Sequence, residues 1–355
     1  MKNRKGRKTV ETLAVILVTA VVLAGCGQKS AKEEDKLLSD NVLITETGEV
    51  IENPDTADEK KPEEESKEEK QKETAPEFEK NTNQADEIPE IVVNEPEQII
   101  TEEDQTEPMG SDLQLVFLGD SIFDSNRDGT GIPYLTSVQC DADVFNLAIG
   151  GTCAALQNDE SRDPTQWSSW SMLEVINVMM GNLPASNFDG LRAGEILSNP
   201  SIDFSQTDYF IVEYGTNDFL SGISRSAQGE TYNLHSYSGA LRYAVSNLME
   251  IAPDATVILC SPCFAQFYGK DGYMVGDSNM MDKGSGSLFD YKGTCEYIAG
   301  EQGALFFNAY EDLGIDSYTA DEYLEDGVHL SAEGRKLYAD ALAEMILKHE
   351  ETKNN

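Results

Sequence analysis

Positive charge and histidine are what this chain has least of. Its 355 residues carry 26 Lys and Arg against 65 Asp and Glu, a formal charge of −39. So acidic a surface repels nucleic acid and anionic lipid headgroups before contact, which argues against both as partners and points to neutral substrates. Histidine occurs three times, at His235, His329 and His349, so few side chains can exchange a proton near neutral pH. Of six cysteines, Cys26 has a context of its own. The other five, Cys140, Cys153, Cys260, Cys263 and Cys295, are an odd number and cannot form a complete intramolecular disulfide framework. Cys260 and Cys263 make a C-x-x-C pair with no second pair and no neighbouring histidine. They are expected to be small buried hydrophobes near a strand end and not a zinc site.

A long apolar run is also missing. Residues 13–24 are apolar but for Thr19, and a membrane span needs about 20 such residues. With Lys2, Arg4, Lys5, Arg7 and Lys8 ahead of it, the run reads as a secretory signal over residues 1–25. It closes on Leu23-Ala24-Gly25-Cys26, which resembles the lipobox of bacterial lipoproteins, in which the cysteine is lipidated and becomes the new N-terminus. An uncleaved anchor helix, or a chance cysteine after a conventional signal, is the alternative. Either way the chain is expected to be exported and held at the extracytoplasmic face of the cell membrane, in the first case through lipidated Cys26.

Residues 26–111 lack aromatic residues except Phe78 and recur in proline, with 27 acidic and 9 basic residues between 27 and 111. A segment so charged and so poor in large apolar groups cannot offset the entropy of ordering, and is expected to be a disordered acidic linker, a stalk between membrane and domain. Residues 112–350 read as one globular domain.

Within it, residues 113–118 form an apolar run that ends in a glycine turn, as buried strands do. Similar runs lie at 144–149, 209–214, 256–260 and 304–308. Between them come helical patterns. Tyr237, Leu241, Ala244, Val245, Leu248 and Ile251 share one face of a helix that stops before Pro253, and a last helix follows Ser331 as N-cap. Strands alternating with helices imply an α/β domain: a parallel sheet with helices on both faces, binding ligands beyond the carboxyl ends of its strands.

Four short motifs fall at that edge. Gly119-Asp120-Ser121 follows the first strand and puts a serine hydroxyl on a strand-to-helix turn, where it needs a base to become a nucleophile. Asn146-Leu147-Ala148-Ile149-Gly150-Gly151-Thr152 follows the second, and its paired glycines let the backbone approach a substrate or simply make a tight turn. Gly215-Thr216-Asn217-Asp218 follows the third; the Asn217 amide can donate to a developing oxyanion, or can end the strand as an Asx turn. Asp326-Gly327-Val328-His329 precedes the last helix, with a carboxylate spaced to reach the ring and fix its tautomer. His349 lies in a polar tail and His235 opens a helix, where capping or surface exposure explains it. His329 is left as the base for Ser121.

With these four blocks in this order the chain resembles the SGNH hydrolase family, the GDSL-type esterases, over residues 113–347. The resemblance implies a flavodoxin-like three-layer α/β/α sandwich with a five-stranded parallel sheet. It implies a Ser121–His329–Asp326 triad, and an oxyanion hole built from the N–H of Ser121, the N–H of Gly151 and the side chain of Asn217. Gly150 is adjacent to Gly151 and could hold the second donor instead. The first block ends in Ile122 where the family commonly has leucine, a packing position. The reaction implied is two-step acyl transfer with no metal and no cofactor.

Export, tethering and acidity together suggest an esterase removing acetyl-like groups from carbohydrate. Trp167 and Trp170 would stack on sugars if exposed and fill the core if buried. A lipase or lysophospholipase would need an apolar groove, for which Met172, Val175, Ile176, Val178, Met179 and Met180 are candidates, though such a stripe at helical spacing also suits a core. Acyl transfer to a sugar would use the same residues. A surface binding protein on an inactive scaffold is the non-enzyme alternative, and the intact blocks argue against it. Residues 268–288, rich in Gly, Asp and Ser, suit either a mobile lid or an ordered wall.

Overall fold

The computed structural model describes residues 109–167 and 169–353. The signal segment, Cys26 and all of the linker before residue 109 lie outside the described residues. In chain order the elements are β1 (Leu113–Gly119), α1 (Ser121–Asp124), α2 (Ile132–Cys140), β2 (Ala142–Asn146), α3 (Met172–Met179), α4 (Arg192–Leu197), β3 (Tyr209–Glu213), α5 (Thr216–Leu220), α6 (Tyr237–Ile251) and β4 (Thr256–Cys260). There follow β5 (Gln266–Tyr268), β6 (Met274–Asp277), α7 (Leu288–Gln302), β7 (Leu305–Phe307), α8 (Ala309–Asp312), α9 (Ala320–Tyr323) and α10 (Ala332–Lys353).

Five strands pair in parallel in the order β2-β1-β3-β4-β7. Their near-continuous apolar sequences fit burial on both faces, as a parallel sheet requires. Right-handed crossovers place α2, on the way from β1 to β2, on one face. They place α6 and α7, on the way from β3 through β4 to β7, on the other. Contacts agree: α2 packs on α10, while α3 packs on α6 and α6 on α7. The chain leaves β1 for β2 on one side and returns to β3 on the other. That reversal opens a crevice beyond the carboxyl end of β1, the binding place of open α/β sheets.

The strands match the apolar runs closely, with one instructive difference. The second run continues to Ile149, whereas β2 ends at Asn146. Leu147 and Ile149 still donate to the carbonyls of Phe117 and Gly119, at 2.8 and 3.0 Å. The extended, buried backbone therefore continues past the strand and delivers the paired glycines to the crevice. Ser236 caps α6 through the Gly239 N–H, and Ser331 accepts from the Gly334 N–H at 3.2 Å.

The remaining expectations resolve one by one. The 268–288 stretch contributes to an antiparallel hairpin, β5–β6, with a bulge at Phe267/Tyr268, and then the capping box that starts α7. The polar tail around His349 is helical, because α10 runs on to Lys353 and lays His349 edge-on against the Tyr209 ring at 6.0 Å. Trp167 is buried, while Trp170 is 42% exposed with a φ of +49°. Met172, Val175, Ile176 and Val178 are buried and Met179 and Met180 partly so, as parts of the core. The five cysteines of the domain are free and buried, and burial pushes the Cys260 and Cys263 thiols far above their ordinary range.

Candidate active site

At the end of β1, Asp120 caps α1 by accepting the Ile122 N–H at 3.0 Å. Ser121 is thereby fixed as the first residue of the helix, at the mouth of the crevice. Its hydroxyl lies 2.8 Å from His329 Nε2, and His329 Nδ1 lies 2.7 Å from Asp326 Oδ2.

The turn carrying His329 is built by Asp326 itself, whose Oδ1 accepts the backbone N–H groups of Val328 and His329 at 3.0 and 2.8 Å. Gly327 between them has a φ of +92°. It also packs on the hairpin, donating no space for a side chain: an added Cβ would lie 2.3 Å from the Gln266 carbonyl oxygen and 2.8 Å from the Tyr268 ring. The Gln266 N–H donates to the Gly327 carbonyl at 2.7 Å, so the hairpin and the turn are pinned together.

Because a carboxylate only accepts, Asp326 fixes the proton on Nδ1 and leaves Nε2 to accept from Ser121. Burial pushes the Asp326 carboxyl up, but the hydrogen bonds from the His329 ring and the two backbone N–H groups outweigh it and hold the carboxyl below its usual range. Burial likewise lowers His329, but the hydrogen bond and charge of Asp326, with Asp120 and Glu325, raise it above the ordinary imidazole value.

Of the two glycines after β2, Gly150 gives its N–H to Asp124 Oδ2 at 2.7 Å. Gly151, at a φ of +73°, has no hydrogen bond from its N–H among the described residues, and neither has the N–H of Ser121. The loop is held by a buried network that the sequence reading did not anticipate. Arg127 Nε lies 2.6 Å from Asp124 Oδ1, and its other nitrogens donate to the carbonyls of Asn146 and Ala148. Asn146 in turn bonds the Phe123 carbonyl and the Ala148 N–H. Asp124 and Arg127 lie three and six residues after Ser121, a spacing that by itself gives no sign of this role.

Asn217 donates from Nδ2 to Asp120 Oδ2 and to the Thr152 carbonyl, both at 3.1 Å. These bonds place its amide between the turn that carries Ser121 and the turn that carries Gly151. Gly215 before it has a φ of +134°, with Tyr237 Oη 2.9 Å from where a Cβ would be. Asp218 is buried and receives the N–H groups of Ala154 and Ala155 at 2.9 and 3.0 Å, tying the third block to the second. His235, outside this cluster, sits one residue before the cap of α6, with Nδ1 2.9 Å from the Gln157 carbonyl.

The structure thus gathers Ser121, Gly151, Asn217, Asp326 and His329 from four separate loops at one sheet edge. Solved structures of similar fold include a possible lipase from Chitinophaga pinensis, 16% identical, with 67% of this chain and 99% of that one covered and a TM-score of 0.47. They also include Est24, a carbohydrate acetylesterase from Sinorhizobium meliloti, at 15% identity, coverage of 66% and 99%, and a TM-score of 0.40. A family two carbohydrate esterase from Clostridium thermocellum is 16% identical, with coverage of 67% and 64% and a TM-score of 0.41. No curated protein matches. The GDSL-like lipase/acylhydrolase family model matches residues 117–337, from within β1 into α10. That stretch is more than half of the chain and contains all four blocks, so the chain belongs to the GDSL-like, or SGNH, hydrolases, and its domain is that of an ester hydrolase.

Proposed function

We propose that the chain is an exported, lipid-anchored serine esterase that removes small acyl groups, acetyl above all, from carbohydrate. The observation that carries the chemistry is the unbroken hydrogen-bonded chain Ser121–His329–Asp326. In the proposed mechanism Ser121 Oγ attacks the ester carbonyl carbon and its proton passes to His329 Nε2. The carbonyl oxygen, now negative, is held by the N–H groups of Ser121 and Gly151 and by the Asn217 amide. Among the described residues the first two donors have no competing acceptor. The hydrogen that Asn217 gives to Thr152 O is the one an oxyanion would take over, while the bond to Asp120 keeps the amide anchored. The tetrahedral adduct then expels the alcohol, which takes the proton from His329. Water attacks the acyl-serine, gives a proton to His329, and the acid leaves as that proton returns to Ser121.

A small neutral substrate fits the charge of the domain, which holds 37 acidic and 12 basic residues from 112 onward. The methionine-rich stripe of α3 that a lipase groove would use is spent on the core, which weighs against a long acyl chain. Transfer to a sugar hydroxyl instead of water would run through the same acyl-serine. Export and anchoring rest on residues 1–26 as read from the sequence.

Hydrolysis of p-nitrophenyl acetate, butyrate and palmitate by the 355-residue chain, beside its Ser121→Ala variant, tests the proposal. Acetate should be cleaved fastest and the variant should be inert. A preference for palmitate would replace the acetyl reading, and a fully active variant would end the mechanism.

A further inference from the structure

Glu213 ends β3 in register with Gly119 of β1, and its carboxyl lies against that of Asp120, the next residue along. It is completely buried, and among the described residues neither carboxyl oxygen accepts a hydrogen bond of ordinary geometry, the Asp120 backbone N–H bearing on it only weakly. An ionised carboxylate cannot persist in such a place, because nothing replaces the water it gave up. The group beside it is the Asp120 carboxyl, also buried. Both oxygens of Asp120 are already acceptors, Oδ1 for the Ile122 N–H and Oδ2 for Asn217 Nδ2. Two adjacent buried carboxyls cannot both carry charge, and the proton belongs on Glu213, which lacks the well-formed hydrogen bonds that Asp120 accepts.

We propose that Glu213 is a positioning residue of the oxyanion hole: as a neutral acid it donates its proton to Asp120 and so fixes the carboxylate that anchors the Asn217 amide. Glu213 then acts on the reaction through Asp120 and Asn217 and touches no reacting atom. This rests on the role proposed above for Asn217.

The surroundings support the assignment. Besides His329, the titratable groups bearing on the pair are the Asp218 carboxyl, the phenols of Tyr214, Tyr237 and Tyr338, and the thiols of Cys153, Cys260, Cys263 and Cys295; none of these is a cation. His329 bears on Asp120. Burial, and after it the charge of Asp120, holds Glu213 well above the ordinary carboxyl range. Burial raises Asp120 as well, to about 6, against the hydrogen bonds from Ile122, Glu213 and Asn217. As pH rises far enough to ionise Glu213, a second negative charge appears behind Asn217, and the anchor of the amide is lost.

The test uses the 355-residue chain and its Glu213→Gln and Glu213→Leu variants. Two readouts are taken: kcat and KM for p-nitrophenyl acetate from mildly acidic to alkaline pH, and the infrared C=O stretch of protonated carboxyl groups. Leucine removes the donor and should lower kcat about tenfold or more, part of what losing an oxyanion donor costs, with KM within about threefold. Glutamine still donates to Asp120, so it should restore at least about a third of the wild-type kcat and abolish the alkaline decline. The wild type should show a buried protonated-carboxyl band at neutral pH that is absent from Glu213→Gln. Three results would overturn the proposal: no such band, a fully active leucine variant, or a folded glutamine variant as impaired as leucine. If leucine prevents folding, the band and the glutamine pH profile decide. If the wild type cleaves no ester, the catalytic reading fails alone, and the band still reports on the shared proton.

Discussion

Replacing Gly327 by alanine would probe how far catalysis depends on the contact between the β5–β6 hairpin and the turn that carries His329. Two costs can be worked out. A side chain at a φ of +92° pays a left-handed penalty of about 1–2 kcal/mol. The new Cβ would stand 2.3 Å from the Gln266 carbonyl oxygen, which must move out to at least 3.0 Å. That oxygen belongs to backbone, so it cannot swing aside as a side-chain tip would. Overpacking of this kind costs about 1–3 kcal/mol more. At about 2–4 °C per kcal/mol for a domain of this size, the melting temperature should fall by at least about 4 °C. The displacement, on the order of 0.7 Å, is shared between the hairpin and the Asp326–His329 turn, and misplacement of about 1 Å can cost about a hundredfold in rate. We expect kcat for p-nitrophenyl acetate to drop by about tenfold or more in the folded variant. Gly314 provides the control: it has a φ of +65° and nothing within 4 Å of where a Cβ would stand. Gly314→Ala should therefore lose stability through strain alone and keep its kcat. If Gly327→Ala keeps its kcat, or if Gly314→Ala loses as much, the hairpin does not position His329.

Asn217→Ala should lower kcat by about a hundredfold or more while leaving the fold intact, as loss of one preorganised donor does; thermal unfolding and steady-state kinetics together would check it, and an unimpaired variant would remove Asn217 from the oxyanion hole. The pH dependence has a defined sign. In the proposed mechanism His329 works only as the neutral base, and its folded value is raised above the ordinary imidazole value, chiefly by Asp326 acting against burial. The rate should thus be full above that raised value and fall as pH drops through it, with an acidic limb of kcat/KM centred above the ordinary imidazole range of about 6.5. A limb centred clearly below that range would mean that burial outweighs Asp326.

What could be read from the residues, and what could not, divides along a physical line. Ser121, Gly151, Asn217, Asp326 and His329 each sit where a buried strand gives way to a turn or just ahead of a helix, and both transitions leave local marks in composition. The scarcity of histidine did the rest for His329. The residues that hold these groups leave no such mark. Asp124 and Arg127 look like ordinary surface charges three residues apart, yet they are buried at 2.6 Å from each other under the glycine loop. Their meaning depends on carbonyls 19 and 21 residues away from Arg127. Gln266 and Tyr268 belong to a strand of three residues, too short to show a period, and matter only because Gly327 lies against them. Glu213 closes an apolar run, where one acid reads as the end of a strand. Its weight comes from Asp120, on a neighbouring strand end and 93 positions earlier in the chain. The groups proposed to react were legible because chemistry constrains their type and local setting. The groups that orient them are constrained by contacts that exist only once the sheet has formed, so the support of the site, more than the site itself, had to come from the fold.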